Sequence, residues 1–229
     1  MKSAIIFGAT GLTGGHLLQL LLDDARYEKV KVFGRAKVQW PFEPARAPEI
    51  GATIKKLEEH LIDFGKLDGC ADLISGDDLF CCLGTTIKKA GSQDAFRKVD
   101  LELPVKIAEM ASKNGVQQFL VVSSVGADKR SSNFYLRTKG EMEEKVGEFN
   151  FEKTAALRPS IIMGNRNEAR LGESISKMFM PVADHFLLGS LKKYRSIHAD
   201  TIAKAMVEIA NGNYEQAVFE SDEIAEIGK

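Results

Sequence analysis

Short apolar runs alternate with amphipathic stretches of helical length along most of the chain. Ala4-Ile5-Ile6-Phe7, Lys29-Val30-Lys31-Val32-Phe33, Leu79-Phe80-Cys81-Cys82-Leu83, Phe119-Leu120-Val121-Val122 and Ala155-Ala156-Leu157 read as strands, and another ends near Leu61-Ile62-Asp63-Phe64. Between them the spacing predicts helices beginning before Leu17 and over residues 67–74, 94–113, 133–148 and 201–206. Ser131 and Ser132 are candidate caps for the fourth of these, Asp200 caps the fifth, and Pro104 is expected to kink the third. Parallel strands need crossover connections of this length. The pattern therefore predicts a doubly wound parallel α/β sheet, in one domain over residues 1–229 with a small substrate-side lid at 165–200. Pro41, Pro44 and Pro48 around Trp40 mark a long surface loop after the second strand.

Gly8-Ala9-Thr10-Gly11-Leu12-Thr13-Gly14 stands between the first strand and the first helix. Its glycines permit a sharp turn, close approach of a phosphate to the backbone, and tight contact between helix and strand. Helix amides and the positive end of the dipole then face an anion, which is the dinucleotide chemistry of a Rossmann fold. The end of the second strand discriminates between dinucleotides. An NAD site places a carboxylate about 20 residues on, to accept from the ribose 2′-hydroxyl. Here Arg35 stands 21 residues after Gly14. A guanidinium grips a 2′-phosphate that a carboxylate would repel, so the site suits NADP(H) better than NAD(H).

Other strand ends supply further candidate cofactor contacts. Asp63 and Phe64 would lie beside the adenine, Leu83, Gly84, Thr85 and Thr86 would line the cofactor, and Ser123 and Arg158 close their own strands.

Composition narrows the class. With 31 Lys and Arg against 32 Asp and Glu, the formal charge of −1 offers no global attraction to nucleic acid or an anionic membrane. No apolar run approaches the ~20 residues that span a bilayer, and no signal pattern opens the chain, so a soluble cytoplasmic protein is expected. Cys70, Cys81 and Cys82 read as buried thiols, and no histidine stands at a metal-ligand spacing from them.

Tyr135 and Lys139 lie four apart on a predicted helix, one strand end after Ser123-Ser124. A tyrosine titrates near ~10 in water, so proton exchange near neutrality requires a neighbouring cation. Lys139 would supply it. The arrangement resembles the atypical short-chain dehydrogenase/reductases. Cys81-Cys82-Leu83-Gly84-Thr85-Thr86, Ser123-Ser124-Val125-Gly126-Ala127-Asp128-Lys129, Ser131-Ser132-Asn133-Phe134, Lys139-Gly140-Glu141 and Arg158-Pro159 are similar to the Tat-interacting-protein oxidoreductase family. That resemblance implies NADPH held by Gly8, Gly11, Gly14 and Arg35, with Thr85 and its neighbours along the cofactor. It also implies Ser124, Tyr135 and Lys139 as the catalytic set: tyrosine exchanges a proton with a carbonyl or alcohol oxygen, serine orients that oxygen, and lysine holds the nicotinamide ribose. Strand alternation lets only one of Ser123 and Ser124 face the pocket, and spacing does not say which.

Two further readings stay open. Tyr135 and Lys139 could simply hold the ribose in a protein that binds NADPH to regulate a protein partner through residues 36–50 or the lid. A sugar-nucleotide epimerase would need more chain after residue 165. Ile175, Met178, Phe179, Met180, Phe186, Leu187 and Leu188 give the lid an apolar character that suits a bulky small-molecule substrate, a homodimer face or the core. His198 reads as structural, and His16, His60 and His185 have no partner suggested by spacing.

Overall fold

The computed structural model describes residues 1–38, 55–164 and 187–229. The chain opens with β1 (Lys2–Phe7), α1 (Leu12–Asp23), β2 (Tyr27–Gly34), β3 (Leu57–Leu61), a 3-10 stretch (Phe64–Leu73) and β4 (Asp78–Cys81). Two short helices, α2 (Ile87–Ala90) and α3 (Gln93–Arg97), run into a π turn (Lys98–Glu102) and α4 (Leu103–Lys113). Then come β5 (Gln118–Val122), α5 (Phe134–Gly147), β6 (Lys153–Arg158), β7 (Ile162–Met163), a 3-10 turn (Gly189–Tyr194), β8 (Ile197–His198), α6 (Ala199–Asn211), β9 (Val218–Glu220) and α7 (Ser221–Ile227).

Seven strands form one sheet in the order β3-β2-β1-β4-β5-β6-β9, every pairing parallel, and β7 pairs with β8 alongside it. This is the doubly wound sheet the apolar runs predict. Alternation along the strands sends residues to two separate cores. Ala4, Ile6, Val30, Val32, Phe80 and Leu120 pack beneath α1 and α6 through Leu17, Leu18, Leu21, Ile202 and Met206. Ile5, Phe7, Phe33, Leu79, Cys81 and Phe119 meet the 3-10 stretch, α4 and α5 through Leu67, Ile107, Ala108, Met142 and Val146. Each fully buried Leu or Ile here is worth about 2 kcal/mol of transfer free energy. The strand order reverses between β1 and β4, which opens a crevice at the carboxyl edge.

Local chemistry moves several predicted boundaries. Asn133, not Ser131 or Ser132, caps α5 by accepting the Leu136 N–H, and Ser131 Oγ accepts from Asn133 N instead. His198 occupies the cap position of α6, leaving Asp200 inside the first turn. Leu83 lies beyond β4. Asp63 accepts the Gly65 N–H at 2.9 Å, so the chain after β3 enters a 3-10 stretch, and Leu67 to Ile74 is not an α-helix. At Pro104 the regular ladder is interrupted: the preceding turn widens to π geometry, closed by the Leu103 N–H on the Lys98 carbonyl. Residues 39–54, with most of the predicted partner loop and Trp40, and residues 165–186, with most of the predicted lid and His185, lie outside the described residues. No described helix is long and apolar enough to cross a membrane.

Candidate active site

The glycine turn sits at the crevice. Gly8 has φ of +90°, and a Cβ there would stand 2.7 Å from the Cys82 carbonyl, so the turn after β1 fits against the end of β4 only without a side chain. A Cβ on Gly14 would collide with the Gly8 carbonyl, which fixes the first turn of α1 directly over the end of β1. Gly11 precedes that helix in extended backbone and no side chain caps it, leaving the first-turn N–H groups open at the carboxyl edge. Ala9 and Thr13 are buried beneath this turn; Thr10 is exposed, and Leu12 packs toward Gly164.

Arg35 is exposed just past β2, and among the described residues nothing pairs with its guanidinium. Asp63 is exposed as the cap of the 3-10 stretch, and Phe64 lies 6.5 Å from the ring of Phe7, which stacks on Phe33. Across the crevice, Leu83, Gly84, Thr85 and Thr86 follow β4; the Thr86 hydroxyl is engaged in capping α2.

Lys139 is nearly fully buried in α5, with Nζ 2.8 Å from Asp100 Oδ1 and a longer contact of 3.4 Å to the Val122 carbonyl. The second carboxylate oxygen of Asp100 accepts the Thr85 N–H at 2.9 Å. Burial opposes the ammonium charge, and the Asp100 carboxylate more than offsets it, so Lys139 stays charged above the ordinary lysine range. Tyr135, one turn earlier and half-buried, leans on Phe96 with ring centroids 5.6 Å apart.

The two serines diverge. Ser123 is buried and donates to Glu143, which also takes a bidentate grip from Arg158 at 3.0 and 2.6 Å. Arg158 reaches Glu220 as well, and these carboxylates hold its charge firmly in place. Ser124 is half-buried with only a 3.5 Å contact to its neighbour's carbonyl, so its hydroxyl is the uncommitted one. The structure thus brings Gly8 to Gly14, Thr85, Ser124, Tyr135 and Lys139 to one edge, and turns Ser123 and Arg158 into a brace between β5, α5, β6 and β9.

A family model described as NAD(P)H-binding matches residues 8–173. The chain belongs to the NAD(P)H-binding family. Its whole length aligns with 90% of protein HTATIP2 of Rattus norvegicus at 35% identity, and with 99% of the mitochondrial protein fmp52 of Aspergillus niger at 31%. Among solved structures, it superposes on a UDP-N-acetylglucosamine 4-epimerase from Methanobrevibacter ruminantium M1 with a TM-score of 0.67 and 15% identity, covering 98% of this chain and 80% of the other. That likeness is one of fold.

Membership of the NAD(P)H-binding family makes this a protein that binds a nicotinamide nucleotide. Two residues of the site escape a reading of spacing alone. Asp100 is a carboxylate on the apolar face of its helix, four residues after Phe96 and four before Pro104; an acid on a buried stripe, next to a helix-disrupting proline, was the available signal. Glu143, four residues after Lys139, reads as an ordinary surface charge until β6 brings Arg158 beside it.

Proposed function

We propose that this protein is an NADP(H)-dependent oxidoreductase acting on the carbonyl or alcohol group of a small molecule. The observation that carries the reading is the buried Lys139 ammonium one turn from Tyr135, at the same sheet edge as the uncapped start of α1. Residues Gly8 to Gly14 would hold the pyrophosphate against open amides, and Arg35 the 2′-phosphate. Asp63 and Phe64 would flank the adenine, while Leu83 to Thr86 would line the opposite wall. Lys139 would reach the nicotinamide ribose. The bound coenzyme supplies the two electrons of the reaction.

The protein's own part is proton transfer and orientation. The Tyr135 hydroxyl donates its proton to the substrate oxygen as a carbonyl is reduced, and accepts it back when an alcohol is oxidised. Ser124 donates a hydrogen bond to the same oxygen, which holds it within reach of the phenol. Ser123 and Arg158, committed to Glu143, support the end of β5 and β6 from behind.

A screen of carbonyl compounds, followed by loss of NADPH absorbance, tests this. Tyr135→Phe should reduce turnover by about 1000-fold while leaving the Kd for NADPH unchanged. Equal turnover in the two proteins would overturn the role of Tyr135, and NADPH binding with no turnover on any carbonyl would favour a regulatory binding protein.

A further inference from the structure

The position of Asp100 has a covalent origin. Pro104 lacks an N–H, and its ring crowds the carbonyl four residues earlier, that of Asp100. The chain answers with the π turn Lys98–Glu102, whose extra residue redirects the side chains that follow α3. Asp100 is left 1% exposed, facing α5 and the turn after β4. Gly84 lies directly beside it: a Cβ there would stand in van der Waals contact, 3.5 Å from Asp100 Oδ1. One carboxylate therefore joins three elements, with one oxygen on Lys139 and the other on the Thr85 amide.

The groups facing Lys139 are Asp100 from the π turn, Tyr135 from its own helix, the Cys81 thiol from β4 and the Val122 carbonyl from β5. Burial pushes the Cys81 thiol up to about 11, so it is neutral at physiological pH. Asp100 is then the anion that balances Lys139. A buried ammonium deprived of its anion loses its proton or its place.

Resting on the reading of this edge as the NADP(H) site, we propose that Asp100 is a positioning residue: it fixes Lys139 in place, and through Thr85 it ties that side chain to the turn lining the cofactor groove. Substrate never touches it. The two walls of the groove thus share one anchor, and disturbing the anchor should be felt in both.

Three variants separate charge from shape. Asp100→Asn keeps an acceptor for the Thr85 amide and removes the charge, Asp100→Ala removes both, and Asp100→Asn combined with Lys139→Met removes both charges. The free proteins are read by nitrogen NMR of the Lys139 ammonium and by hydrogen exchange at Thr85; NADPH binding is then followed by fluorescence. Wild-type Lys139 should hold its proton, and its NADPH Kd should stay flat, from about pH 7, where the 2′-phosphate is already almost fully charged, to about pH 9. In Asp100→Asn, Lys139 should deprotonate within that interval and the NADPH Kd should rise roughly tenfold across it. Exchange at Thr85 should accelerate about tenfold in Asp100→Ala and remain near wild type in Asp100→Asn. The double variant should recover the fold if the lone ammonium unfolds the single one, and should bind NADPH more weakly than wild type, having lost Lys139, but without that pH dependence. Parallel Lys139 titrations and parallel NADPH profiles in wild type and Asp100→Asn would overturn the proposal. Failure of wild type to bind NADPH would instead defeat the cofactor reading, with the Lys139 titration and Thr85 exchange still deciding the role of Asp100.

Discussion

At the amino end of the sheet, polar side chains bond chiefly to one another; at the carboxyl end, a more deeply buried pair of lysine and aspartate stands beside donors that have no close partner among the described residues. Asp78 accepts from Lys2 at 3.0 Å and from the Tyr27 hydroxyl at 2.6 Å, and Asn211 donates to that hydroxyl in turn. Lys2, Gln118 and Lys153 cover the carbonyls of Ile209, Ala210 and Gly212, so the negative end of α6 is capped by two cations and an amide. Around Lys139 and Asp100, by contrast, Arg35, the Ser124 hydroxyl and the first amides of α1 stay open. The first network ties the fold together, although one buried oxygen each of Asp78 and Gln118 accepts nothing in it; donors left open along one sheet edge suit an anionic ligand. Substitutions should therefore sort by whether a side chain is already bonded, with the paired groups changing stability and the open donors of the carboxyl end changing binding.

The largest stability effect should come from Asp78→Ala, at about 3 kcal/mol in denaturant unfolding, because Lys2 and Tyr27 lose a buried partner. NADPH affinity should be unchanged; a matching loss of affinity would erase the distinction between the two ends. Glu143→Ala should cost about 2 kcal/mol by releasing Ser123 and Arg158, and should leave the preference between NADPH and NADH as it was. A changed preference would make Arg158 part of the cofactor site rather than its brace.

The smallest effect is one of pH. Burial raises the Asp78 carboxyl above its ordinary range against the pull of Tyr27 and Lys2. A carboxyl raised in the folded state binds its proton there first, so its contribution to stability is present below the unfolded pKa and lost as pH rises through the folded one. Wild type should accordingly gain stability relative to Asp78→Asn as pH falls from neutrality toward the carboxylate range. An unfolding series showing the opposite slope would mean that Lys2 and Tyr27 dominate over burial.

The sheet was legible because apolar runs such as Phe119 to Val122 carry their burial in their composition, and because the spacing from Gly8 to Gly14 has a geometric cause. Tyr135 and Lys139 were legible by helical period. What spacing could not convey were contacts between distant segments. Asp100 meets Lys139 across 39 positions of sequence, and Arg158 meets Glu143 only once β6 lies beside β5. Caps such as Asn133 were missed for a different reason: three polar residues in succession could each accept the same amide, and the path of the loop from Gly126 decides among them. Short pairings such as β7 with β8 carry too few residues for a periodic signal.

Arg35 bears most directly on the central claim, because under the proposed function it would give the carboxyl end its choice of coenzyme. Calorimetric titration of wild type and Arg35→Ala with NADPH and NADH should show wild type favouring NADPH, and the variant losing roughly 10- to 100-fold in NADPH affinity with little change for NADH. Equal losses for the two coenzymes, or no heat with either in wild type, would contradict the account.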